Sequence, residues 1–350
     1  MTAPAQTSSG AWVVVGIDNG GTANNATVLT PAGDFLVANL VEVPSRVNEG
    51  PVAAVDAMEL ALTTVLGVTG LPRSVVRAVG LDTPGPASAD GVISSKGATN
   101  FSEPAWWGFD IRGALEDRLA LPVVYNNDGN AAALYAHHEH FGSEAVRRSS
   151  VSAIVGTGLG GGVVERGQVV RGAAGMAGEL GHVQIPLDGV LEPGQPLPRC
   201  NCGNLGDVES VVSLTGIRNN LLPYWLARYP GHPLADVPLD QAAKAVRGLA
   251  VAGDELGLAI FAQQAGALGR LFTIAANFTD PHAYLVGGGV VEAEPHFREW
   301  FLSGVEQATA LREEQRRIAH FAAVPDLDMA GARGAAVAAL AVAARQSIDD

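Results

Sequence analysis

The chain has 350 residues, 47% of them hydrophobic and 17% charged, and its net charge is −14. That length accommodates two domains, and the hydrophobic share supplies buried cores and excludes global disorder. The negative charge disfavours nucleic acids and anionic membranes as partners, and without a run of about 18 apolar residues or an export signal we expect a cytoplasmic protein with no membrane span.

The chain begins with a pattern of three strands separated by tight turns. An apolar run starts at Trp12 and two more extended runs follow, and the turn after the first run consists of Asp18, Asn19, Gly20, Gly21 and Thr22. Glycines after a strand let backbone N–H groups converge on an anion, and a carboxylate such as Asp18 can hold Mg²⁺ through water. Alone, the turn is either a phosphate loop or an ordinary hairpin turn.

A polar cluster follows a buried strand further along the chain. Residues 123–125 predict the strand, residues 126–129 break it, and a helix is expected from Asn130. Asp128 then lies between a strand end and a helix, where open α/β sheets place ligands, although an aspartate there can also be only the helix N-cap. We favour a catalytic role for Asp128. The helix also carries three histidines that we expect on its exposed face, namely His137, His138 and His140.

The opening pattern returns at residues 151–172. An apolar run meets a turn that contains Gly156, Thr157 and Gly158, and two more strand-like runs follow. Duplication of a whole strand–turn–strand unit indicates two related domains, each with its own glycine turn. This repeat favours phosphate loops over hairpin turns at both positions.

Both cysteines of the chain lie in one short segment, residues 178–209. Cys200 and Cys202 are separated by one residue, with His182 before them and Asp207 and Glu209 after them. A disulfide across this spacing would be strained, and cysteines of cytoplasmic proteins are rarely oxidised. Metal ligation is therefore the favoured role for this pair.

A third glycine run, Gly287 to Gly289, ends a predicted strand that follows a long apolar helix. Backbone without side chains can accommodate a flat ligand at close range. A strand-to-helix turn would give the same pattern, so both interpretations stand.

Together these segments resemble the ROK family (repressors, open reading frames and sugar kinases). The segments that carry the resemblance are GIDNGGT at 16–22, DTPGP at 82–86, NNDGNAAAL at 126–134, GTGLGGGVV at 156–164, AGELGH at 177–182, CNCGNLGDVE at 200–209 and LVGGG at 285–289. The match runs from about Val13 to the final helix.

The resemblance implies an α/β architecture, the two-lobed actin-like ATPase (ribonuclease H-like) fold. Each lobe would be a mixed sheet with flanking helices, and ligands would bind in the cleft between the lobes. The smaller lobe is expected at residues 10–126 plus 331–347, and the larger lobe at residues 127–330. The implied activity is ATP-dependent phosphorylation of a hexose at its 6-hydroxyl, with glucose first and N-acetylmannosamine or N-acetylglucosamine as alternatives. A homodimer is also implied.

The family's functional residues can be matched to this chain position by position. Asp128 would be the general base that accepts the proton of the attacking hydroxyl. The sugar contacts would be Asn100, Asn127, Asp128, Glu179, His182 and Glu209. ATP and Mg²⁺ would be bound by Asp18, Gly20, Gly21, Thr22, Gly156, Thr157, Gly158, Gly287 and Gly288.

In similar proteins, one histidine and three cysteines hold a structural Zn²⁺. His182, Cys200 and Cys202 match here, but Asp207 stands in place of the third cysteine. Aspartate can be a tetrahedral zinc ligand, although it is harder than thiolate and binds more weakly. We expect zinc on these four residues. The alternative is a metal-free loop in which His182 contacts the sugar directly.

The family also contains transcriptional repressors, which carry an added N-terminal helix-turn-helix. In this chain the first strand begins near Trp12 and the net charge is strongly negative, so DNA binding is not expected. A sugar-sensing regulator without that segment is the non-kinase alternative. Polyphosphate in place of ATP is an alternative phosphoryl donor.

Overall fold

The structure is a computed structural model that describes residues 12–85, 88–94, 100–101, 103–324 and 327–349. Residues 10 and 11 of the predicted smaller lobe and Pro86 of the DTPGP segment lie outside the described residues. The strands are Val13–Asn19 (β1), Ala23–Leu29 (β2), Val41–Pro44 (β3), Val76–Thr83 (β4), Val123–Asn127 (β5), Ser149–Val155 (β6), Leu159–Glu165 (β7), Gln168–Val169 (β8), Ala283–Gly288 (β9) and His320–Val324 (β10). The helices are Pro51–Thr69 (α1), Ile111–Leu119 (α2), Asp128–Phe141 (α3), Glu209–Val212 (α4), Leu214–Gly216 (α5), Leu222–Arg228 (α6), Leu239–Val251 (α7), Glu255–Thr279 (α8), Pro295–Ala308 (α9), Glu313–Arg316 (α10) and Ala330–Asp349 (α11).

Two five-stranded sheets share one topology. The first has the order β3-β2-β1-β4-β5, and the second, taken from its opposite edge, has the order β8-β7-β6-β9-β10. In each sheet the first three strands in sequence pair antiparallel and the other pairings are parallel. The predicted duplication and the predicted α/β fold with two mixed sheets are confirmed.

The chain forms two compact units. Among the described residues, the first unit comprises those within 1–138, 171–176 and 328–350, and the second comprises those within 139–170 and 177–327. The contacts therefore group residues 127–138 with the first unit. The lobe boundaries predicted from the sequence, after residue 126 and before residue 331, remain a prediction.

Helices cover both faces of the first sheet. Alternate residues of a strand point to opposite faces. Val15 and Ile17 accordingly pack in the core that includes α1 and α2, whereas Val14 packs against α11. Helix α11 lies so close to β1 and β4 that a Cβ on Gly16 would be 1.9 Å from Ala332 O, and a Cβ on Gly80 would be 1.8 Å from Ala335 O. Only glycine permits this approach.

The second unit has one large core, and α8 runs through it. Fourteen residues of α8 are buried, and the helix packs against α4, α7 and α9. Phe272 of α8 lies beside Tyr284 of β9, with ring centroids 5.3 Å apart. This packing fixes the position of the α8 residues that line a cavity described below.

One sequence expectation, the exposure of His137, is wrong, and the expectation of no membrane span stays a prediction. The helices Pro51–Thr69, Glu255–Thr279 and the segment Leu327–Arg345 are long and apolar enough, by length and composition alone, to cross a membrane. Many of their apolar residues pack in the cores of the two units, while others, such as Val52 and Phe278, are exposed. His137, expected on an exposed helix face, is buried.

Candidate active site

The first glycine turn joins β1 and β2 and packs against Asn100. The backbone N–H of Gly20 donates to the carbonyl of Ala23 over 2.9 Å. A Cβ on Gly21 would lie 2.7 Å from Asn100 Oδ1. Gly21, predicted to bind ATP, and Asn100, predicted to bind the sugar, are therefore neighbours in the first unit. Asn19 is buried and donates to Asn24 Oδ1 across the turn over 2.6 Å.

A pair of carboxyl groups occupies adjacent strands of the first sheet. Asp18 of β1 is the register partner of Asp82 of β4. A Cβ on Gly331, the second residue of α11, would lie 2.6 Å from Asp82 Oδ2 and 2.9 Å from Asp18 Cγ. Both carboxyl groups therefore face the first turn of α11, where the positive end of the helix dipole offsets negative charge.

Burial raises the carboxyl pKa at both positions. For Asp82, which is 1% exposed, loss of hydration is the main cause, and the neighbouring charges of Asp18 and Asp128 add to it. For Asp18, loss of hydration raises the pKa, a hydrogen bond from Asn25 lowers it, and the charge of Asp128 raises it. Asp82 Oδ1 has no hydrogen-bond partner among the described residues. The sequence shows Asp82 at the start of the DTPGP segment but predicts no role for it.

Asp128 is the first residue of α3 and directly follows β5. The helix N-cap is supplied by its neighbour, since Asn127 Oδ1 accepts from the backbone N–H of Asn130 over 2.9 Å. Asp128 Oδ1 accepts from the N–H of Gly129 over 2.8 Å. Loss of hydration raises the pKa of Asp128, and the backbone N–H groups partly lower it again. A carboxylate with a raised pKa is a stronger proton acceptor than an ordinary aspartate.

The second glycine turn, between β6 and β7, is tied to α4 and α5. The carbonyl of Gly156 accepts from Leu214 N over 3.0 Å, and the carbonyl of Thr157 accepts from Thr215 N over 3.2 Å. Glu209 Oε2 accepts from the N–H of Leu159 over 2.9 Å and fills the space that a Cβ on Gly158 would need. The start of α4 therefore braces the turn.

Four potential metal ligands converge in the second unit. One ligand atom from each of His182, Cys200, Cys202 and Asp207 lies within 4.8 Å of the others. His182 Nδ1 is 3.5 Å from Asp207 Oδ2 and 3.9 Å from Cys200 Sγ, and Cys202 Sγ is 3.6 Å from Asp207 Oδ2. Tetrahedral zinc with bonds of about 2.0–2.3 Å separates its ligand atoms by roughly 3.3–3.8 Å. The four residues fit a zinc ion.

Groups beside the four potential ligands also favour a metal ion at this position. Asp207 Oδ1 accepts from the backbone N–H of Ser210 over 2.9 Å, which directs Oδ2 towards the other ligands. Burial and the adjacent Asp207 raise the pKa of the Cys200 thiol, an effect that a bound cation would reverse. Glu209 Oε1 lies 3.4 Å from Cys200 Sγ, so Glu209 contacts both this cluster and the glycine turn. Glu179 is exposed and precedes the turn that carries His182.

A cavity of about 320 Å³ lies in the second unit beside the glycine turn. Its wall includes Gly156 and Thr157 of the turn and Gly289 of the third glycine run. Gly287 and Gly288 belong to the end of β9, where a Cβ on Gly288 would lie 2.2 Å from Val155 O. The remaining lining is mostly apolar, and two exposed cations, Lys244 and Arg247, also contribute to it. Cavities with apolar walls and a few polar groups are typical of small-molecule sites.

Comparison with known proteins identifies the relatives of this architecture. A sequence model described as the ROK family matches residues 14–342. A glucokinase of Halalkalibacterium halodurans is 31% identical over 313 residues, which are 85% of this chain and 89% of that protein. An N-acetyl-D-glucosamine kinase of Vibrio cholerae is 32% identical over 266 residues, 75% of each protein.

Solved structures show the same similarity. A ROK hexokinase from Thermus thermophilus has a TM-score of 0.72 and 29% identity, with 97% of this chain and 100% of that chain covered. A ROK glucokinase from Streptomyces griseus, solved with glucose and AMPPNP, has a TM-score of 0.61 and 28% identity, with 93% and 99% covered. The fold described above therefore has counterparts in the solved structures of a hexokinase and a glucokinase of the ROK family.

Proposed function

The chain belongs to the ROK family, and from that premise we propose that this sugar kinase transfers the γ-phosphoryl group of ATP to the 6-hydroxyl of glucose. The observation that carries the proposal is the carboxyl cluster of the first unit, in which Asp128 follows β5 and interacts electrostatically with Asp18 at the end of β1. Glucose is the acceptor named for the glucokinase relatives. N-acetylhexosamines are the alternative acceptors.

Asp128 is the proposed general base. Its carboxylate accepts the proton of the 6-hydroxyl while the hydroxyl oxygen attacks the γ-phosphorus, and the bond between that phosphorus and the leaving ADP oxygen breaks. The raised pKa of Asp128 strengthens it as a proton acceptor. Asp18 is the proposed carboxylate for Mg²⁺, which would neutralise charge on the phosphates.

The remaining predicted contacts to sugar and nucleotide are divided between the two units. In the first unit, Asn100 and Asn127 would bind sugar hydroxyls, and Gly20, Gly21 and Thr22 would bind phosphate. In the second unit, the sugar contacts would be Glu179, His182 and Glu209. The nucleotide would enter the cavity beside Gly156 and Thr157, with Gly158, Gly287 and Gly288 shaping the backbone around it.

We further propose a structural zinc ion on His182, Cys200, Cys202 and Asp207, because the separations of these ligand atoms suit tetrahedral coordination. The ion would cross-link two loops and would take no part in the reaction. Those loops carry Glu179 and Glu209, so the proposed role is to hold sugar contacts in place. A homodimer is proposed on family grounds, and light scattering of the purified chain would overturn it by reporting a monomer.

The test combines one variant with a panel of acceptors. Asp128→Asn keeps the shape of the side chain but cannot accept the proton, so kcat should fall by about 10²–10⁴ while the Kd for the sugar changes little. Asp117→Asn, an exposed aspartate of α2, is the matched control and should retain wild-type kcat. ADP release should be greatest with glucose among glucose, N-acetylglucosamine, N-acetylmannosamine and fructose.

Each part of the proposal can fail separately. Near-wild-type kcat in Asp128→Asn would remove Asp128 as the base. A higher kcat/KM with an N-acetylhexosamine would replace glucose as the acceptor. Sugar binding without ADP release, and with no transfer from polyphosphate, would favour a sugar-sensing protein.

A further inference from the structure

One buried amide of the second unit has an acceptor that no described residue satisfies. Gln264 of α8 is 1% exposed and contributes to the wall of the 320 Å³ cavity. Its Nε2 donates to the carbonyl of Val212 over 2.6 Å. Its Oε1 has no hydrogen-bond partner among the residues that the structure describes.

The hydrogen bond to Val212 identifies which atom of the amide is the nitrogen. A backbone carbonyl can only accept, so the atom facing it must be the amide nitrogen, and Oε1 takes the other position. The adjacent glutamine, Gln263, differs in this respect, because its Oε1 accepts from Trp225 Nε1 over 3.0 Å and its Nε2 donates to Gln195 over 2.6 Å. A buried acceptor without a donor is unfavourable, so a ligand that supplies the donor gains in affinity.

The cavity also limits the chemistry of that ligand. Its walls near Gln264 include Val212, Ile217 and Phe261, which suit a flat apolar ring. The cations Lys244 and Arg247 suit phosphate groups. Adenine presents an exocyclic amine, a donor, at the position where guanine and hypoxanthine present a carbonyl oxygen, an acceptor.

We propose that Gln264 selects the nucleotide by accepting a hydrogen bond from the exocyclic amine of adenine. Oε1 is shielded from solvent in the structure, and rotation about the last side-chain torsion, which is broad for glutamine, would present it to the cavity. The Nε2 bond of 2.6 Å has room to lengthen during that rotation. A 6-oxo purine would instead bring two acceptors together. This inference rests on the proposed function in one respect, that the cavity binds the phosphoryl donor.

The first experiment needs no variant. Isothermal titration of the whole chain with ADP, IDP and the diphosphate of unsubstituted purine riboside, in Mg²⁺ and without sugar, gives three dissociation constants. ADP should bind about tenfold or more tightly than the purine riboside diphosphate, which lacks only the amine, and IDP should bind more weakly still. Three constants within about twofold of one another would overturn the role of Gln264 and leave ATP as the donor.

Variants then assign the preference to one side chain. Gln264→Met should weaken ADP binding and reduce the ratio between ADP and IDP to about threefold or less. Gln263→Met, the matched control beside it in α8, should leave the ratio as in the wild type. Equal weakening of ADP and IDP by Gln264→Met would show a structural role only. If no nucleotide binds and polyphosphate supports sugar phosphorylation, the proposed donor is wrong, and this outcome is distinct from loss of base selectivity.

Discussion

Replacing Gly80 with alanine should destabilise the first unit, because the new methyl group has no space. Its Cβ would lie 1.8 Å from Ala335 O, and the atoms nearest to it all belong to the backbone of α11. Carbon and oxygen need roughly 3 Å or more between centres, so α11 would have to move by about 1 Å. Overpacking of this kind costs about 1–3 kcal/mol, and a clash with helix backbone, which cannot rotate away as a side chain can, should give the upper figure.

The control is a glycine substituted in open space. Gly67 of α1 has no atom within 4 Å of its would-be Cβ, and alanine there should stabilise the helix by about 0.5–1 kcal/mol. By calorimetry of the full chain, Gly80→Ala should lower the Tm by about 6–12 °C and Gly67→Ala should raise it by about 1–4 °C. Equal changes in the two variants would refute the argument that contact with α11, rather than loss of glycine, sets the effect.

Three further predictions concern ionisable groups. Because the pKa of Asp128 is raised, kcat should fall as pH is lowered through a range above that of an ordinary aspartate, and a profile with its acid limb at or below the usual value of 3.8 would contradict this. Because the folded state raises the pKa of Asp82, the free energy of unfolding falls as pH rises above 3.8. Asp82→Asn should therefore increase the Tm at pH 7 and have the same Tm as the wild type near pH 4. Removal of zinc by a chelator should raise the KM for the sugar more than it lowers the Tm, since the loops lose a cross-link while the core of the second unit is unaffected. Elemental analysis that finds substoichiometric zinc in fully active protein would refute the zinc site, and Cys200→Ser should show the same KM effect as chelation.

Local sequence patterns predicted much of the fold. Glycine turns after apolar runs located β1, β2, β6 and β7, because such turns depend on neighbouring residues alone. The placement of Asp128 at a strand end was likewise predicted. The structure corrected the details, since β5 continues through Asn127 and α3 begins at Asp128 itself.

Features that depend on distant pairing were not predicted. Asp82 lies beside Asp18 only because β4 pairs with β1 in one particular register, and the residues between them do not reveal that register. Gln264 Oε1 lacks a donor among the described residues because Gln264, and not the adjacent Gln263, bonds to Val212. The sequence does not show which of the two glutamines faces Val212. His137 is buried because α3 packs on more than one side, which a polar run of histidines does not indicate.

The packing of α11 against β1 and β4 also affects the order in which the chain can fold during translation. The first sheet is encoded before residue 128, but the helix that covers its second face is encoded after residue 329. All residues of the second unit are therefore synthesised before the first unit has its full set of elements. Until α11 leaves the ribosome, Val14, Leu29 and Ala78 lack the alanine-rich surface that buries them. We expect the nascent first unit to depend on chaperones at this stage, when the second unit can already be folded.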